Sequence, residues 1–195
     1  MTSDTDTFPI PPEAPVIRKN CAPPAVIIDT REQTPLSFPP DVRTVRDRLK
    51  TGDYSIIGYE DRFTVERKTL SDLVRTVIHE RERFVRELER MASFDFRRLL
   101  VVAPYAKVVR GPYRFSGAHP RAIVASLAAW EVRYGVPVVF AANEYEAARR
   151  IADWVHYYVR EREREESADG GNPKSLHALR ARTCVHAIDP RPISR

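Results

Sequence analysis

The chain is poor in cysteine, with two residues, Cys21 and Cys184, among 195. Two such distant thiols exclude a disulfide framework and match no zinc-binding pattern, so a reducing, cytoplasmic setting is expected. Long apolar runs are missing too. None approaches the roughly 18 residues that a membrane span requires. The N-terminus, MTSDTDTFPIPPEAP, has neither a basic start nor an apolar stretch, so no signal peptide is expected. There is no internal repeat. A large excess of one charge is also absent: the net charge is +5 and the pI about 9.4. That balance is compatible with nucleic acid, but many equally basic proteins bind none.

What is present is enough for one good core. Apolar residues make up 43% and charged residues 30% of the chain, the balance of a globular protein of this length. Residues 1–24, rich in proline, threonine and acid, read as a disordered tail. The folded domain is expected over residues 25–166. A basic, proline-containing tail, also expected to be disordered, covers residues 167–195.

Along the domain, AVIIDTRE is a short apolar run ending in charge, the pattern of a buried strand whose end emerges at a site. DVRTVRDRLK predicts a short helix starting at Asp41, a good N-cap type. GDYSIIGYE and DRFTVERK read as two strands joined at Glu60-Asp61 in a hairpin. Residues 70–92 form a long helical region with apolar stripes at Leu70, Leu73, Val74, Val77 and Ile78, then at Phe84, Val85, Leu88 and Met91. The polar HERER between the stripes marks a place for a kink. RRLLVVAP is a second buried strand, and Tyr105 to Gly117 an irregular loop. HPRAIVASLAAWEVRYG predicts a helix with Pro120 near its start, Gly135 just past its end, and Ile123, Leu127, Trp130 and Tyr134 on one face. VPVVFAAN is a third buried strand. NEYEAARRIADWVHYYVREREREE is a last long helix with Ile151, Val155, Tyr158 and Val159 on one face. This order predicts an α/β sandwich with a mixed central sheet.

One segment concentrates charges of both signs. In the strand FTVERK side chains alternate, so Thr64, Glu66 and Lys68 share one face while Phe63, Val65 and Arg67 share the other. Asp53 opens the preceding strand, and a hairpin can bring it close to Glu66 and Lys68. Carboxylate oxygens suit Mg²⁺. A bound divalent metal polarises a phosphoryl oxygen, and a neighbouring lysine can orient or deprotonate water or neutralise developing charge. Taken alone, a Glu-x-Lys in a strand is equally the pattern of a surface ion pair.

The company this segment keeps is more specific. Gly52-Asp53, Glu66-Arg67-Lys68 and Asp72 resemble the signature of the XPF-family structure-specific endonucleases: Gly-Asp, a variable strand, Glu-Arg-Lys, three residues, Asp. Asp29-Thr30-Arg31-Glu32 is similar to the Asp-x-Arg-Glu motif that ends the family's first core strand. Further on, RERFVRELERM and AIVASLAAWEVRYGVPVVFA resemble the later helices and strand of stand-alone bacterial and phage members. The likeness spans roughly residues 25–160.

The resemblance implies a restriction-endonuclease-like fold of the PD-(D/E)xK superfamily, a three-layer α/β sandwich with a mixed central sheet flanked by helices. It implies Mg²⁺- or Mn²⁺-dependent hydrolysis of DNA, with branched, flap or fork DNA as substrate, in repair, recombination or phage DNA processing. Asp53 and Glu66 would be metal ligands and Lys68 would serve the water. Asp29, Glu32 and Asp72 would be supporting acids, for positioning or for a second metal with Asp29 among its ligands. Arg67, on the strand face opposite Glu66, would orient neighbouring acids. Asp72 also stands three residues after Thr69, the spacing of a helix cap. Every signature position is intact, which argues against the non-catalytic subunits that the family also contains. A junction resolvase or restriction-type nuclease is the alternative within the same fold.

Candidate DNA contacts are Arg31, the row Arg81, Arg83, Arg86 and Arg90, and Lys107, Arg110 and Arg114 interleaved with Tyr105, Tyr113 and Phe115. Glu82–Arg86 and Arg83–Glu87 also fit i,i+4 pairs on a solvated helix. Members from cells usually carry a tandem helix-hairpin-helix module, which the segment from Ser167 is too short to supply; targeting would then come from another subunit, or selectivity would be lower. The Trp130 and Trp154 helices are candidates for a homodimer or heterodimer contact, or their tryptophans belong to the core.

Overall fold

The computed structural model describes residues 23–113 and 116–168. Residues 1–22 and 169–195 of the expected tails, with both cysteines, and Arg114 and Phe115 lie outside the described residues, while Ser167 and Ala168, expected in the C-terminal tail, end the last helix. Six strands form one sheet: β1 (Val26–Asp29), β2 (Thr44–Asp47), β3 (Tyr54–Ile56), β4 (Phe63–Thr69), β5 (Phe96–Val102) and β6 (Val138–Ala141). Their order is β2-β1-β3-β4-β5-β6. β1 pairs with β2 in parallel and with β3 antiparallel; β3 and β4 are antiparallel; β4, β5 and β6 are parallel. The sheet is mixed, as expected.

Both faces are covered. In register, Glu66 stands beside Leu99 and Arg67 beside Leu100. Leu99 and Val101 pack into a core with Leu73, Val77, Phe84, Leu88, Ile123 and Trp130. Those residues come from α1 (Leu70–His79), α2 (Arg81–Met91) and α4 (Pro120–Tyr134). On the other face Leu100, Val65 and Val26 meet Ala147, Ile151 and Val155 of α5 (Glu144–Ala168). Each fully buried aliphatic side chain contributes roughly 1.5–3 kcal/mol. The α4 boundaries follow the expected signals. Pro120 occupies the first turn, and Gly135 closes the helix at φ +61° with its N–H bonded to the Glu131 carbonyl.

Four local expectations change. Residues 41–50 hold no helix: Thr44–Asp47 is an edge strand paired with β1. Val42, Val45 and Leu49 imitate helical spacing, while the exposed outer edge of β2 removes the alternation that would mark a strand. The β-branched Thr44 and Val45 favour the strand once β1 offers its parallel edge. The region 70–92 is two helices broken at Glu80, a full break where a kink was expected. The expected loop after Pro104 begins with a short helix, α3 (Tyr105–Arg110), anchored by buried Val108. The β3–β4 hairpin forms, but β3 is only three residues long and its turn runs wider than Glu60-Asp61.

Candidate active site

The C-terminal ends of β1 and β4 lie near the start of β3, and two backbone hydrogen bonds stitch Asp53 between them. Asp29 N–H donates to the Asp53 carbonyl at 2.8 Å, and Asp53 N–H donates to the Val65 carbonyl at 2.9 Å. The residue before it must be glycine. Gly52 has φ +77°, and a Cβ there would stand 2.2 Å from the Thr64 hydroxyl oxygen. This close approach carries Asp53 onto β4, where its Oδ2 accepts the Arg67 N–H at 2.8 Å. Its carboxylate therefore lies against the backbone of the Glu66-Arg67-Lys68 run.

Glu66 and Lys68 share a strand face, and Lys68 Nζ donates to Glu66 Oε1 at 2.7 Å. Both are largely sequestered, with side chains 10% and 18% exposed. Phe84 of α2 roofs the lysine, its ring centroid 4.8 Å from Nζ. Burial pushes the Glu66 carboxyl above its ordinary value, against the opposing pull of Lys68. Burial pushes Asp53 well up as well, and the charge of Glu66 adds to it. For Lys68 burial works the other way, but the Glu66 carboxylate outweighs it and holds the ammonium above its usual range. The site thus carries two acids in mutual repulsion and a lysine that stays protonated.

The remaining motif acids have distinct settings. Asp29 is saturated: Oδ1 accepts from Arg31 N–H (2.6 Å) and Nε (2.9 Å), while Oδ2 accepts from Arg31 Nη2 (2.9 Å) and Leu49 N–H (2.8 Å). Burial alone would raise its pKa, but these bonds from Arg31 and Leu49 hold it below the ordinary value. Glu32 accepts from Thr34 N–H at 2.9 Å and from Arg67 Nη2 at 3.2 Å. Arg67 lies on the opposite face from Glu66, also bonded to the Thr34 carbonyl and hydroxyl, with Nε and Nη1 buried and lacking a hydrogen bond among the described residues. Glu144 at the start of α5 approaches Nη1 to 3.8 Å. Thr69 caps α1: its Oγ1 accepts the Asp72 N–H at 3.2 Å, and its hydroxyl donates to Asp72 Oδ2 at 2.6 Å. Among the described residues no three or more carboxylate, histidine or cysteine side chains gather into a closed metal cage.

The candidate DNA contacts are scattered. Arg31 is exposed but committed to Asp29 and the Leu49 carbonyl. Arg81 donates to the Ser126 hydroxyl and lies over Trp130. Arg83 pairs with Glu80, and Arg90 with Glu87, so the ion pairs of α2 follow i,i+3 spacing in place of the expected i,i+4 pairs. Lys107 and Arg110 are exposed on α3. Trp130 is buried against Phe84, and Trp154 packs on Phe96.

Sequence reasoning missed two residues beside the site, Phe84 and Glu87. They lie one turn apart on α2. Phe84 covers Lys68, and Glu87 Oε1 accepts the Gly52 N–H at 3.1 Å. The available signal was a glutamate inside the Phe84, Leu88, Met91 stripe.

The chain resembles proteins of known structure. Among solved structures, XPF from Aeropyrum pernix is 26% identical, with a TM-score of 0.56 over 70% of this chain and 65% of that one. The same archaeal protein in complex with DNA is 24% identical, with a TM-score of 0.54 over 71% of this chain and 66% of that one, a likeness of fold alone. This chain therefore spans about two thirds of the archaeal chain. No curated protein matches it. No described helix is long and apolar enough to cross a membrane. The ERCC4 domain matches residues 28–153, nearly two thirds of the sequence and all of the candidate site. The chain belongs to the ERCC4 domain family.

Proposed function

We propose that this protein is a divalent-metal-dependent DNA endonuclease that cuts branched, flap or fork DNA. The observation that carries the proposal is the convergence of Asp53, Glu66 and Lys68 within a domain of this family. The donor set fits a hard cation. Asp53 Oδ1 and Glu66 Oε2 accept no hydrogen bond among the described residues, and the repulsion between these acids is relieved by positive charge. Asp53 and Glu66 would hold Mg²⁺ or Mn²⁺. When bound, the ion supplies Lewis acidity to the phosphoryl oxygen and acidifies the attacking water.

The chain's own groups do the rest. Lys68 is protonated, so it suits charge neutralisation and orientation better than proton abstraction. Its ammonium faces the negative charge that grows on the phosphoryl oxygens as water adds to phosphorus and the bridging P–O bond breaks. Asp29 is saturated by four donors and acts as a support: it fixes Arg31 and the Leu49 backbone just ahead of Gly52-Asp53. Arg67 orients Glu32 on the far face. Asp72 accepts from the hydroxyl of Thr69, the cap of α1, and adds negative charge near Lys68.

The test compares wild type with Glu66→Ala on labelled flap, fork, four-way junction and linear duplex, each with Mg²⁺ or Mn²⁺. Wild type should cut a branched substrate only with metal, and Glu66→Ala should bind DNA without cutting it. Metal at about tenfold excess over its dissociation constant should stabilise wild type by about 1.4 kcal/mol, read as a melting shift that Glu66→Ala lacks. Equal cleavage by the variant, or no cleavage of any substrate by wild type, refutes the proposal.

A further inference from the structure

We infer that Glu87 is a positioning residue for the candidate site, setting the Gly52-Asp53 turn from helix α2. The inference rests on the nuclease reading above. Glu87 lies outside the Asp-x-Arg-Glu and Gly-Asp…Glu-Arg-Lys…Asp signatures, on the helix RERFVRELERM that follows them. Its side chain is only 20% exposed although it sits on a strongly charged helix. Both of its carboxylate oxygens are engaged. Oε2 accepts from Arg90 on the same helix, which fixes the rotation of the carboxylate. Oε1 reaches across to a residue 35 positions earlier and accepts the Gly52 N–H at 3.1 Å.

Gly52 is the residue whose placement matters most to Asp53. The turn is held on one side by β4, through Asp53 N–H to the Val65 carbonyl and Thr64 Oγ1 to the Thr51 carbonyl. Glu87 holds it on the other side. Among the described residues the Asp53 side chain accepts one hydrogen bond, from the Arg67 N–H, and none from α2. Asp29 N–H of β1 and the Val65 carbonyl of β4 hold the Asp53 backbone from within the sheet, but a turn without a restraint on Gly52 could still tilt off the sheet face, carrying the Asp53 carboxylate away from Glu66. The acceptor on α2 removes that freedom. The same helix places Phe84 over Lys68 one turn earlier, so α2 constrains both sides of the site from a single rigid element.

The role belongs to the acceptor oxygen, so Gln should serve and Ala should fail. The experiment uses the full chain as wild type, Glu87→Gln and Glu87→Ala. Amide hydrogen exchange of the peptide containing Gly52, Mn²⁺ affinity by calorimetry, and steady-state cleavage are measured for each. Glu87→Ala should accelerate Gly52 exchange, weaken Mn²⁺ binding, and lower kcat about 10- to 100-fold at unchanged KM for DNA, the range for a displaced catalytic group. Glu87→Gln should restore protection and bring kcat back to within about threefold of wild type. If Glu87→Gln is as impaired as Glu87→Ala, the acceptor role is wrong. Unchanged Gly52 exchange in Glu87→Ala overturns the contact, and lost protection with normal Mn²⁺ affinity and kcat overturns its role in positioning. Should wild type cleave nothing, the nuclease reading fails on its own; Gly52 exchange and Mn²⁺ affinity still decide whether Glu87 sets the turn.

Discussion

Gly52→Ala adds one methyl group, yet it should be among the most damaging small changes in this domain. Gly52 holds φ at +77°, where an L residue costs roughly 1–2 kcal/mol. The new Cβ would stand 2.2 Å from Thr64 Oγ1 and 3.1 Å from the Val65 carbonyl oxygen. Neither neighbour yields easily. Thr64 is fully buried and β-branched, and its hydroxyl donates to the Thr51 carbonyl at 3.1 Å. Turning it away loses that bond, about 1 kcal/mol. Val65 is sheet backbone, and its carbonyl already accepts Asp53 N–H. Overpacking of this kind adds about 1–3 kcal/mol. The sum, roughly 3–6 kcal/mol, is a large share of the 5–15 kcal/mol typical of a domain.

Urea unfolding followed by circular dichroism measures the loss, and Thr64→Ala identifies its cause. Thr64→Ala alone should cost about 1–3 kcal/mol through the stranded Thr51 carbonyl. It also removes the atom that the new Cβ strikes. Gly52→Ala/Thr64→Ala should therefore fall short of the summed single losses by at least about 1 kcal/mol. A Gly52→Ala protein within about 0.5 kcal/mol of wild type would refute this account of the turn. Strict additivity in the double variant would refute the clash as its cause.

Two further outcomes follow from the charges. Lys68→Met strands the Glu66 carboxylate in a mostly buried setting and should cost about 3–5 kcal/mol in thermal or urea unfolding. Lys68→Met/Glu66→Leu should recover most of that stability while remaining unable to cut DNA. Burial, then Glu66, raises the Asp53 pKa, so the native state holds this proton more tightly than the unfolded chain does. Metal-free stability should then fall as pH climbs from the ordinary carboxyl range through the raised value. Asp53→Asn keeps an acceptor for Arg67 N–H, so in chelator it should be more stable than wild type at about pH 8, with the gain gone below about pH 4. A constant difference across that range would show that the Asp53 charge does not oppose folding.

The strand alternation of FTVERK was legible because β4 is central and flanked on both faces, so its two sets of side chains meet different environments. Glu66 and Lys68 therefore came out on one face, and Arg67 on the other with Glu32. The same rule failed at β2, which is an edge strand with little to bury, and where Val42, Val45 and Leu49 fit a helix as well as anything. Asp29 was legible as a motif residue but not in its bonding. Its four donors include Leu49 N–H, 20 residues away, and no local pattern announces such a closure.

Glu87 marks the harder boundary. By spacing alone it can pair with Arg83 one turn back or with Arg90 one turn on, and both arrangements describe a solvated helix. The choice depends on the rotation of α2 about its own axis, and that rotation is dictated by Phe84, Leu88 and Met91 seeking the core. Once those three face inward, Glu87 is carried to the margin of the buried stripe, within reach of Gly52. A carboxylate brought there needs a donor, and the N–H of a glycine lacking a side chain is one that α2 can approach closely. The apolar stripe thus determined where the acid went, and the acid in turn constrains the turn that carries Asp53. A charged residue set next to core positions of a helix is for this reason a better pointer to a site than a charged residue among other charges.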